Sequence, residues 1–284
     1  MKIAVLSGKG GTGKTFVSVN LADVAKDSVY IDCDVEEPNG RLFFRPAETK
    51  KKPVSVLLPE FDETKCTGCR KCVRFCRFNA LAYVKNKPKL FREICHSCGG
   101  CKLVCEHRAI SEKPYNVGNI EIGYSENTAV VTGTLNVGEA SGVPVISAAL
   151  KEGLALNRET AVIDCPPGSA CTVIESVKSA DYCLFVAEPT AFGLHNLKMV
   201  HRLVSIMSKP CGLVVNKELQ PYGPLEDFCA ESKLPILLHI PYSKELAELG
   251  AEGNIAVRCS KTARSAFEKL MSDIISTVPR EGVL

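Results

Sequence analysis

The sequence predicts an α/β protein in which helices cover both faces of a mostly parallel sheet, with a small α+β module inserted into it. Three observations predict this fold. Near-continuous apolar strands alternate with amphipathic helices along most of the 284 residues. A glycine-rich loop joins the first strand to the first helix. Cysteines at short, regular intervals interrupt the alternation about a quarter of the way along the chain.

Short apolar runs place the individual elements. A strand over 2–6 precedes a helix over 14–25 and a strand over 28–32. The basic stretch RPAETKKKP, 45–53, predicts a connection, and the glycine-rich region 115–143 offers only a strand at 128–131. The later strands are predicted at 160–164, 182–187, 212–216 and 234–240, and the later helices at 144–156, 193–207, 243–251 and 262–278.

Composition excludes several classes of function. Hydrophobic residues make up 45% and charged residues 24%, which is typical of a globular chain with a buried core. A net charge of +3 is too small to indicate binding to nucleic acid or to a membrane surface. The N-terminus resembles no signal peptide, so we expect a cytoplasmic protein. In that reducing compartment, 15 cysteines favour metal ligation over disulfides.

The first loop, GKGGTGKT at 8–15, fits the phosphate-binding pattern G-x-x-x-x-G-K-[ST]. Its glycines let backbone N–H groups point at phosphate oxygens, and the following helix adds its positive end. We expect Lys14 to reach the β- and γ-phosphates and the Thr15 hydroxyl to bind magnesium. An incidental glycine turn is the alternative, which the flanking strand and helix disfavour. The predicted ATP-binding residues of the loop are Gly10, Gly11, Thr12, Gly13, Lys14, Thr15 and Phe16.

The lysine ahead of the glycine pair carries further information. The form K-G-G-x-G-K-T at 9–15 resembles the deviant Walker A motif of the MinD/Mrp family, which includes the nitrogenase iron protein. In that family the first lysine reaches across a dimer interface onto the partner's nucleotide. The resemblance therefore implies this role for Lys9, in a homodimer or in a heterodimer with a paralogue. A solvated loop lysine is the alternative.

Two aspartate stretches extend the resemblance. Asp32-Cys33-Asp34 resembles the family's first switch, in which Asp34 would orient the attacking water. The segment DCPPG, which begins at Asp164, resembles the second switch, in which Asp164 would hold magnesium through water. Phosphoryl transfer requires mostly positioning and charge neutralisation, which these groups supply. The predicted catalytic residues are thus Lys9, Lys14 and Asp34, and the predicted magnesium residues are Thr15, Asp34 and Asp164.

Weaker matches lie downstream. Asn216 ends a strand where the family places an adenine-reading asparagine, and Pro241 belongs to an Ile-Pro pair that the family uses near the nucleotide. Both are predicted ATP-binding residues. Ser243 stands where family members usually have an acid. Glu188-Pro189-Thr190 also resembles a family segment, to which we assign no chemistry.

The cysteines form two runs with the same spacing, C-x2-C-x2-C-x3-C, which is the pattern of bacterial two-cluster ferredoxins. Three closely spaced thiolates hold one 4Fe–4S cube, and the fourth cysteine of each run crosses to the other cube. A zinc site is the alternative, which eight ligands at this spacing disfavour. The predicted ligands are Cys66, Cys69, Cys72 and Cys105 for one cluster, and Cys76, Cys95, Cys98 and Cys101 for the other.

The cysteine-rich block is also basic. Between Lys65 and Lys113 there are seven Lys and five Arg against three Glu, a difference of +9. Opposite charge steers the encounter of proteins, so we expect an acidic redox partner such as a ferredoxin. A basic face that is simply solvated is the alternative.

Taken together, the chain resembles MinD-superfamily P-loop ATPases that carry an inserted ferredoxin domain. This implies an ATPase domain made of residues 1–59 and 115–284, and an inserted domain made of residues 60–114. The insertion follows the first switch, whose position should depend on the γ-phosphate, so nucleotide state would affect the clusters. A surface loop that merely tolerated an insertion is the alternative.

Three functions follow from the resemblance. The first is an ATPase that couples nucleotide state to electron transfer, with ATP or ADP, magnesium and two 4Fe–4S clusters as cofactors. The second is an ATPase that assembles iron–sulfur or other metal centres, and the third is a regulatory ATPase that senses redox state. Of the seven remaining cysteines, most are expected to be buried. Cys171 is expected to be packed, with a metal shared between two copies as the alternative.

Overall fold

The computed structural model describes residues 1–278; residues 279–284, the end of the predicted ATPase domain, lie outside the described residues. The strands are β1 Lys2–Leu6, β2 Ser28–Asp32, β3 Thr49–Phe61, β4 Leu81–Val84, β5 Lys87–Leu90, β6 Ile110–Ser125, β7 Thr128–Leu135, β8 Thr160–Asp164, β9 Tyr182–Ala187, β10 Cys211–Glu218 and β11 Ile236–Pro241. The helices are α1 Lys14–Val24, α2 Gly40–Phe44, α3 Lys71–Phe75, α4 Gly100–Leu103, α5 Val143–Leu154, α6 Cys171–Val177, α7 Ala191–Ile206, α8 Gly223–Glu231, α9 Lys244–Ala251, α10 Ala256–Cys259 and α11 Lys261–Thr277.

A large sheet forms the centre of the molecule, with the strand order β11-β10-β9-β1-β8-β2-β7-β6-β3. The strands from β11 to β7 are parallel, and β6 and β3 add to one edge in antiparallel orientation. The central strands are apolar throughout because helices bury both of their faces. The predicted α/β fold with a mostly parallel, doubly covered sheet is confirmed.

Two hydrophobic cores flank the sheet. One face packs against α5, α6, α7 and α8, with Ile146 and Val200 among its buried side chains. The other face packs against α1, α10 and α11, where Leu21 and Phe267 are buried. Parallel strands that share this sandwich end at one edge, so the loops after β1, β2 and β8 lie side by side.

The predicted connection at 45–53 is wrong, because its second half begins strand β3. The lysines at 50–52 pair in register with 120–122 of β6 and keep their side chains exposed. A run of lysines followed by Pro53 is typical of an edge strand, where charge and the missing N–H discourage pairing with another chain. The region 115–143, predicted to hold one short strand, contains most of β6 and all of β7.

Strands β3 and β6 continue beyond the sheet as a two-stranded arm. Strand β7 pairs with β6 only as far as Gly118, whereas residues 110–116 of β6 pair with 55–61 of β3. Seven residues of strand extend roughly 20 Å. The arm ends in residues 62–109, which contain α3, α4 and the β4–β5 hairpin; we call these residues the cysteine module.

In the part of the chain that the structure describes, no helix has both the length and the apolar character that crossing a membrane requires.

Candidate functional site

The glycine loop wraps around an open space between β1 and α1. Gly11 and Gly13 have φ angles of 78° and 88°, which glycine adopts readily and other residues do not. A Cβ atom added at Gly10 or Gly11 would meet nothing within 4 Å, so the loop backbone is free to approach a ligand. The Thr12 hydroxyl is buried without a hydrogen-bond partner among the described residues. A buried unpaired hydroxyl of this kind fits a site that a polar ligand completes.

Lys14 lies between two carboxylates. Its Nζ atom is 2.6 Å from Oδ1 of Asp164 and 3.5 Å from Oδ2 of Asp34, and its side chain is almost fully buried. Burial alone would lower the pKa of Lys14, but the negative charges of Asp164 and Asp34 raise it. The lysine therefore stays charged at the mouth of the loop, where phosphate oxygens would compete for it.

Asp164 is the acceptor on which the site converges. Besides Lys14, it accepts hydrogen bonds from Thr15 Oγ1 at 2.8 Å, Ser18 Oγ at 3.0 Å and the Tyr30 hydroxyl at 2.8 Å. Sequence reasoning missed Ser18 and Tyr30. Nothing in their local pattern marks them, because they reach Asp164 from positions 146 and 134 residues away.

Asp32 and Asp34 have different environments. Asp32 is fully buried and accepts the N–H groups of Gly40 at 2.9 Å and Asp34 at 3.2 Å, so it fixes the turn after β2. Burial, with the nearby charge of Asp164, raises the pKa of Asp32 to about 8. Burial also raises the pKa of Asp34, although Lys14 opposes the shift. Asp34 is the carboxylate that remains partly exposed toward the site.

Two neighbouring cavities meet at the loop. The larger, of about 1190 Å³, is lined by Lys14, Thr15 and Asp34 together with the prolines that follow Asp164. The smaller, of about 160 Å³, is lined by Asn216 and Pro241. Phe16 and Gly13 line both cavities, and the Asn216 amide donates to the carbonyl of Thr12 at 2.7 Å. The structure thus brings the loop to one cavity and the two downstream residues to the adjoining one.

Lys9 is held within its own chain. Its Nζ atom lies 2.6 Å from Oε2 of Glu188 and 5.2 Å from the centre of the Phe192 ring. The other oxygen of Glu188 pairs with Lys217 at 3.0 Å, and Lys217 also donates to the carbonyl of Gly11 at 2.6 Å. Burial acts to raise the pKa of Glu188, but its hydrogen bonds from Lys9 and Lys217 lower it below the usual value. Glu188, to which the sequence assigned no chemistry, therefore bridges Lys9 of the glycine loop and Lys217 of β10.

The eight predicted cluster ligands separate into two groups in the cysteine module. One cavity is lined by Cys66, Cys69, Cys72 and Cys105. A second cavity, of about 270 Å³, is lined by Cys76, Cys95, Cys98 and Cys101. Each group therefore contains three cysteines of one run and the fourth cysteine of the other, which is the crossed arrangement that the spacing predicts.

Burial shifts the pKa values of three of these thiols. Burial raises the pKa of Cys72 and of Cys95, and raises that of Cys101 to about 11, and neighbouring cysteines add to each shift. A raised pKa keeps these side chains as neutral thiols at neutral pH, so a bound metal would have to displace their protons. Among residues 1–278, no cluster of His, Cys, Asp or Glu side chains fits a single metal ion. Four thiols in each group equal the number of ligands that a 4Fe–4S cube takes, and the cluster assignment stays a prediction that rests on this donor set.

Sequence comparison places the chain in a family. The family model described as the CobQ/CobB/MinD/ParA nucleotide binding domain matches residues 3–257. The chain belongs to this family. It is thus a nucleotide-binding protein of the MinD/ParA type, as the loop at 8–15 predicts, and the match extends to both sides of the cysteine module.

Relatives of this MinD/ParA-type protein include uncharacterized proteins of Methanocaldococcus jannaschii. One is 29% identical over 280 residues, covering 97% of this chain and 98% of the relative. A second is 33% identical over 223 residues, covering 77% and 78%. A third, described as an uncharacterized ATP-binding protein, is 27% identical over 286 residues and covers 97% and 98%.

Solved structures share the fold. The septum site-determining protein MinD of Pyrococcus horikoshii, complexed with Mg-ADP, has a TM-score of 0.58 at 18% identity and covers 100% of this chain and 99% of its own. A variant of Cyanothece McdA in complex with ATP has a TM-score of 0.58 at 14% identity and covers 100% and 98%. Similarity at this level establishes the fold alone. The nitrogenase kinship and the ferredoxin character of the insertion stay predictions.

The remaining cysteines divide by burial. Cys33, Cys165, Cys183 and Cys229 are buried, as expected for small apolar side chains. The expectation that Cys171 is packed is wrong, because it is exposed at the start of α6. Helix α6 buries Val173, Ser176 and Val177, whereas Cys171 lies outside this buried face.

Replacing Tyr30 with phenylalanine tests the role of its hydroxyl. Without this donor, Asp164 loses one of the contacts that orient it, and indirect contacts of this kind are worth about tenfold in metal affinity. We expect Tyr30→Phe to raise the magnesium concentration for half-maximal nucleotide binding about tenfold.

The matched control is Tyr182→Phe, which also removes a buried tyrosine hydroxyl, one that contacts no carboxylate of the site among the described residues. The measurement is a magnesium titration of nucleotide binding by calorimetry. Equal magnesium dependence in the two variants would show that Tyr30 does not position Asp164.

Proposed function

We propose that this protein is a magnesium-dependent ATPase that couples its nucleotide state to electron transfer through two 4Fe–4S clusters. The observation that carries the proposal is the division of eight cysteines into two groups of four, on a module joined to the nucleotide-binding sheet by strands of that sheet. A phosphate site and two cluster sites in one chain favour a protein in which the bound nucleotide controls electron transfer through the clusters.

The nucleotide half of the proposal rests on the residues around Lys14. The loop backbone and Lys14 would bind the phosphates, and Asn216 and Pro241 would contact the base from the smaller cavity. Thr15, Asp34 and Asp164 would hold magnesium, which neutralises phosphate charge when it is bound. Asp34 is partly exposed at the larger cavity, so it is the carboxylate suited to orient an attacking water. The Mg-ADP and ATP complexes of the structural relatives support this assignment.

Lys9 gives the site a link to a second subunit. The lysine is paired with Glu188 in the single chain, near the exposed side chain of Phe192. In a dimer, Lys9 would leave Glu188 and contact the partner's nucleotide, and Lys217 would keep Glu188 paired. A homodimer or a heterodimer with a paralogue therefore belongs to the proposal.

The redox half rests on the cysteine groups. A cubane cluster bound by four thiolates carries one electron at a time, and two clusters in one small module let an electron pass between them. Complete sets of four ligands favour clusters that stay bound. They therefore favour electron transfer over the assembly of clusters for other proteins, and over a module that only senses redox state.

An acidic electron carrier is the proposed partner. The segment from Lys65 to Lys113 has an excess of nine positive charges, and exposed apolar side chains such as Phe78 lie beside the second cysteine group. Positive charge around a redox site steers an acidic protein toward it and sets the docking register.

Removing one ligand of one group tests the cluster assignment. Cys98→Ala should lower the iron content of anaerobically purified protein from about eight to about four per chain, because only one cluster loses a ligand. Cys171→Ala, at an exposed cysteine outside both groups, should keep all of the iron. Iron and sulfide analysis with electron paramagnetic resonance measures both outcomes.

The reciprocal variant separates the two halves. Lys14→Ala should lose ATP hydrolysis by about a hundredfold or more while it keeps its iron. Wild-type protein without iron would refute the redox half, and loss of iron in Cys171→Ala would move the metal to Cys171. Transfer of clusters to an apo-protein faster than electron transfer would favour the assembly function instead.

Salt dependence tests the partner assignment. Electron transfer from an acidic two-cluster ferredoxin should slow by about tenfold between low and moderate ionic strength, since screening removes the steering. Lys89→Ala, in the cysteine module, should weaken that dependence, whereas Lys26→Ala, exposed between α1 and β2, should leave it unchanged. Stopped-flow absorbance measures the rates. A rate that does not change with salt would exclude steering by the basic module.

A further inference from the structure

The pairing of β3 with β6 is irregular at one residue, at the root of the arm, where the arm leaves the sheet. Val54 of β3 pairs with Gly118, whereas the next residue, Ser55, pairs with Asn116. Val117 is therefore an extra residue on β6, a β-bulge, and the Asn116 amide bridges it by donating to the carbonyl of Gly118 at 3.1 Å. The bulge lies where β7 ends, so it marks the point at which the arm leaves the sheet. Bulges bend a strand and redirect what it carries.

This bulge is hydrogen-bonded to the end of β7. The N–H of Asn136 donates to the carbonyl of Val117 at 2.9 Å. The Asn136 side-chain amide donates to the backbone carbonyl of Asn116 at 3.1 Å and to its side-chain oxygen at 3.0 Å. Asn136 therefore contacts the root of the arm through both its backbone and its side chain.

The same end of β7 is hydrogen-bonded to the segment that follows Asp34. The N–H of Leu135 donates to the carbonyl of Val35 at 2.8 Å. Residues 34 and 35 therefore contact two parts of the molecule. The Asp34 carboxylate lines the nucleotide cavity, and the backbone carbonyl of Val35 is hydrogen-bonded to the end of β7, which contacts the bulge. Only Leu135 and Asn136 separate the nucleotide site from the root of the arm.

Close packing makes this connection stiff. Val35 is buried between two glycines: a Cβ at Gly133 or at Gly142 would lie only 2.9 Å or 2.8 Å from its methyl groups. A Cβ at Gly118 would lie 2.3 Å from the carbonyl oxygen of Thr134. Since Val35 and Gly118 are packed closely against these neighbours, a displacement of either toward them must move them.

We propose that the bulge at Val117 is a hinge, and that the hydrogen bonds from Val35 through Leu135 and Asn136 to Val117 transmit the nucleotide state of the Asp34 segment to the arm. The inference rests on the proposed function and names how its two halves are joined. A shift of Asp34 on γ-phosphate binding changes the bend at the bulge. The cysteine module then changes its orientation as one body at the end of the arm.

Hydrogen exchange of the anaerobically purified full chain tests the hinge. Exchange is compared with ADP and with a non-hydrolysable ATP analogue, both at saturation. We expect amides in 54–57 and 115–118 to exchange about fivefold or more differently in the two states. Amides of the β4–β5 hairpin should exchange alike, because the module moves without deforming.

Asn136→Ala removes the side-chain hydrogen bonds at the root and should reduce the difference in the arm, with nucleotide affinity unchanged. The matched control is Asn119→Ala, on the same strand as Asn116. The Asn119 side chain makes no hydrogen bond among the described residues, so this variant should keep the full difference in exchange between the two nucleotide states. Both variants are checked for iron content and nucleotide binding.

The outcomes separate the hinge from the proposed function. If wild-type protein binds both nucleotides and retains its iron but the arm exchanges equally in the two states, the hinge is wrong and the ATPase and cluster assignments stand. An equal loss in Asn136→Ala and Asn119→Ala also overturns the route through Asn136. The wild-type comparison requires no variant to fold. Protein that lacks iron or nucleotide binding overturns the proposed function itself.

Discussion

The buried carboxylate of Asp164 is the contact on which the rest of the structure depends. It ends the strand between β1 and β2, and a fully buried charge in that position is stable only when it is paired and hydrogen-bonded. Lys14 and Ser18 satisfy it from the start of α1, and Tyr30 satisfies it from β2. This one group therefore fixes the relative positions of three elements, and with them the geometry of the nucleotide site.

Two carboxylates at the end of β2 have different roles beside Asp164. Asp32, whose pKa is raised by burial, holds the turn after β2, and Asp34 faces the cavity. The next residue, Val35, is hydrogen-bonded to β7, which in turn borders the strand that leads to the cysteine module. The insertion is thus joined to the ATPase by continuous strands and not by a flexible linker. The orientation of the cysteine module therefore depends on how β3 and β6 leave the edge of the sheet.

Much of the central sheet could be predicted because its signals are local. A strand such as β8 is buried on both faces and is apolar throughout, and the glycines of the phosphate loop stand at fixed spacing. Strand β3 could not be predicted, since an edge strand exposes its lysines and resembles a loop. Tyr30 and Glu188 were missed for another reason. Their roles depend on partners 134 and 179 residues away, which no local pattern records.

The proposed function requires that nucleotide binding and the clusters are energetically coupled. Its most direct test is the reduction potential of anaerobically purified protein without nucleotide, with ADP, and with a non-hydrolysable ATP analogue. We expect the analogue to shift the potential by tens of millivolts relative to ADP, where about 59 mV corresponds to about 1.4 kcal/mol for one electron. Identical potentials in all three states, together with unchanged electron-transfer rates, would contradict it.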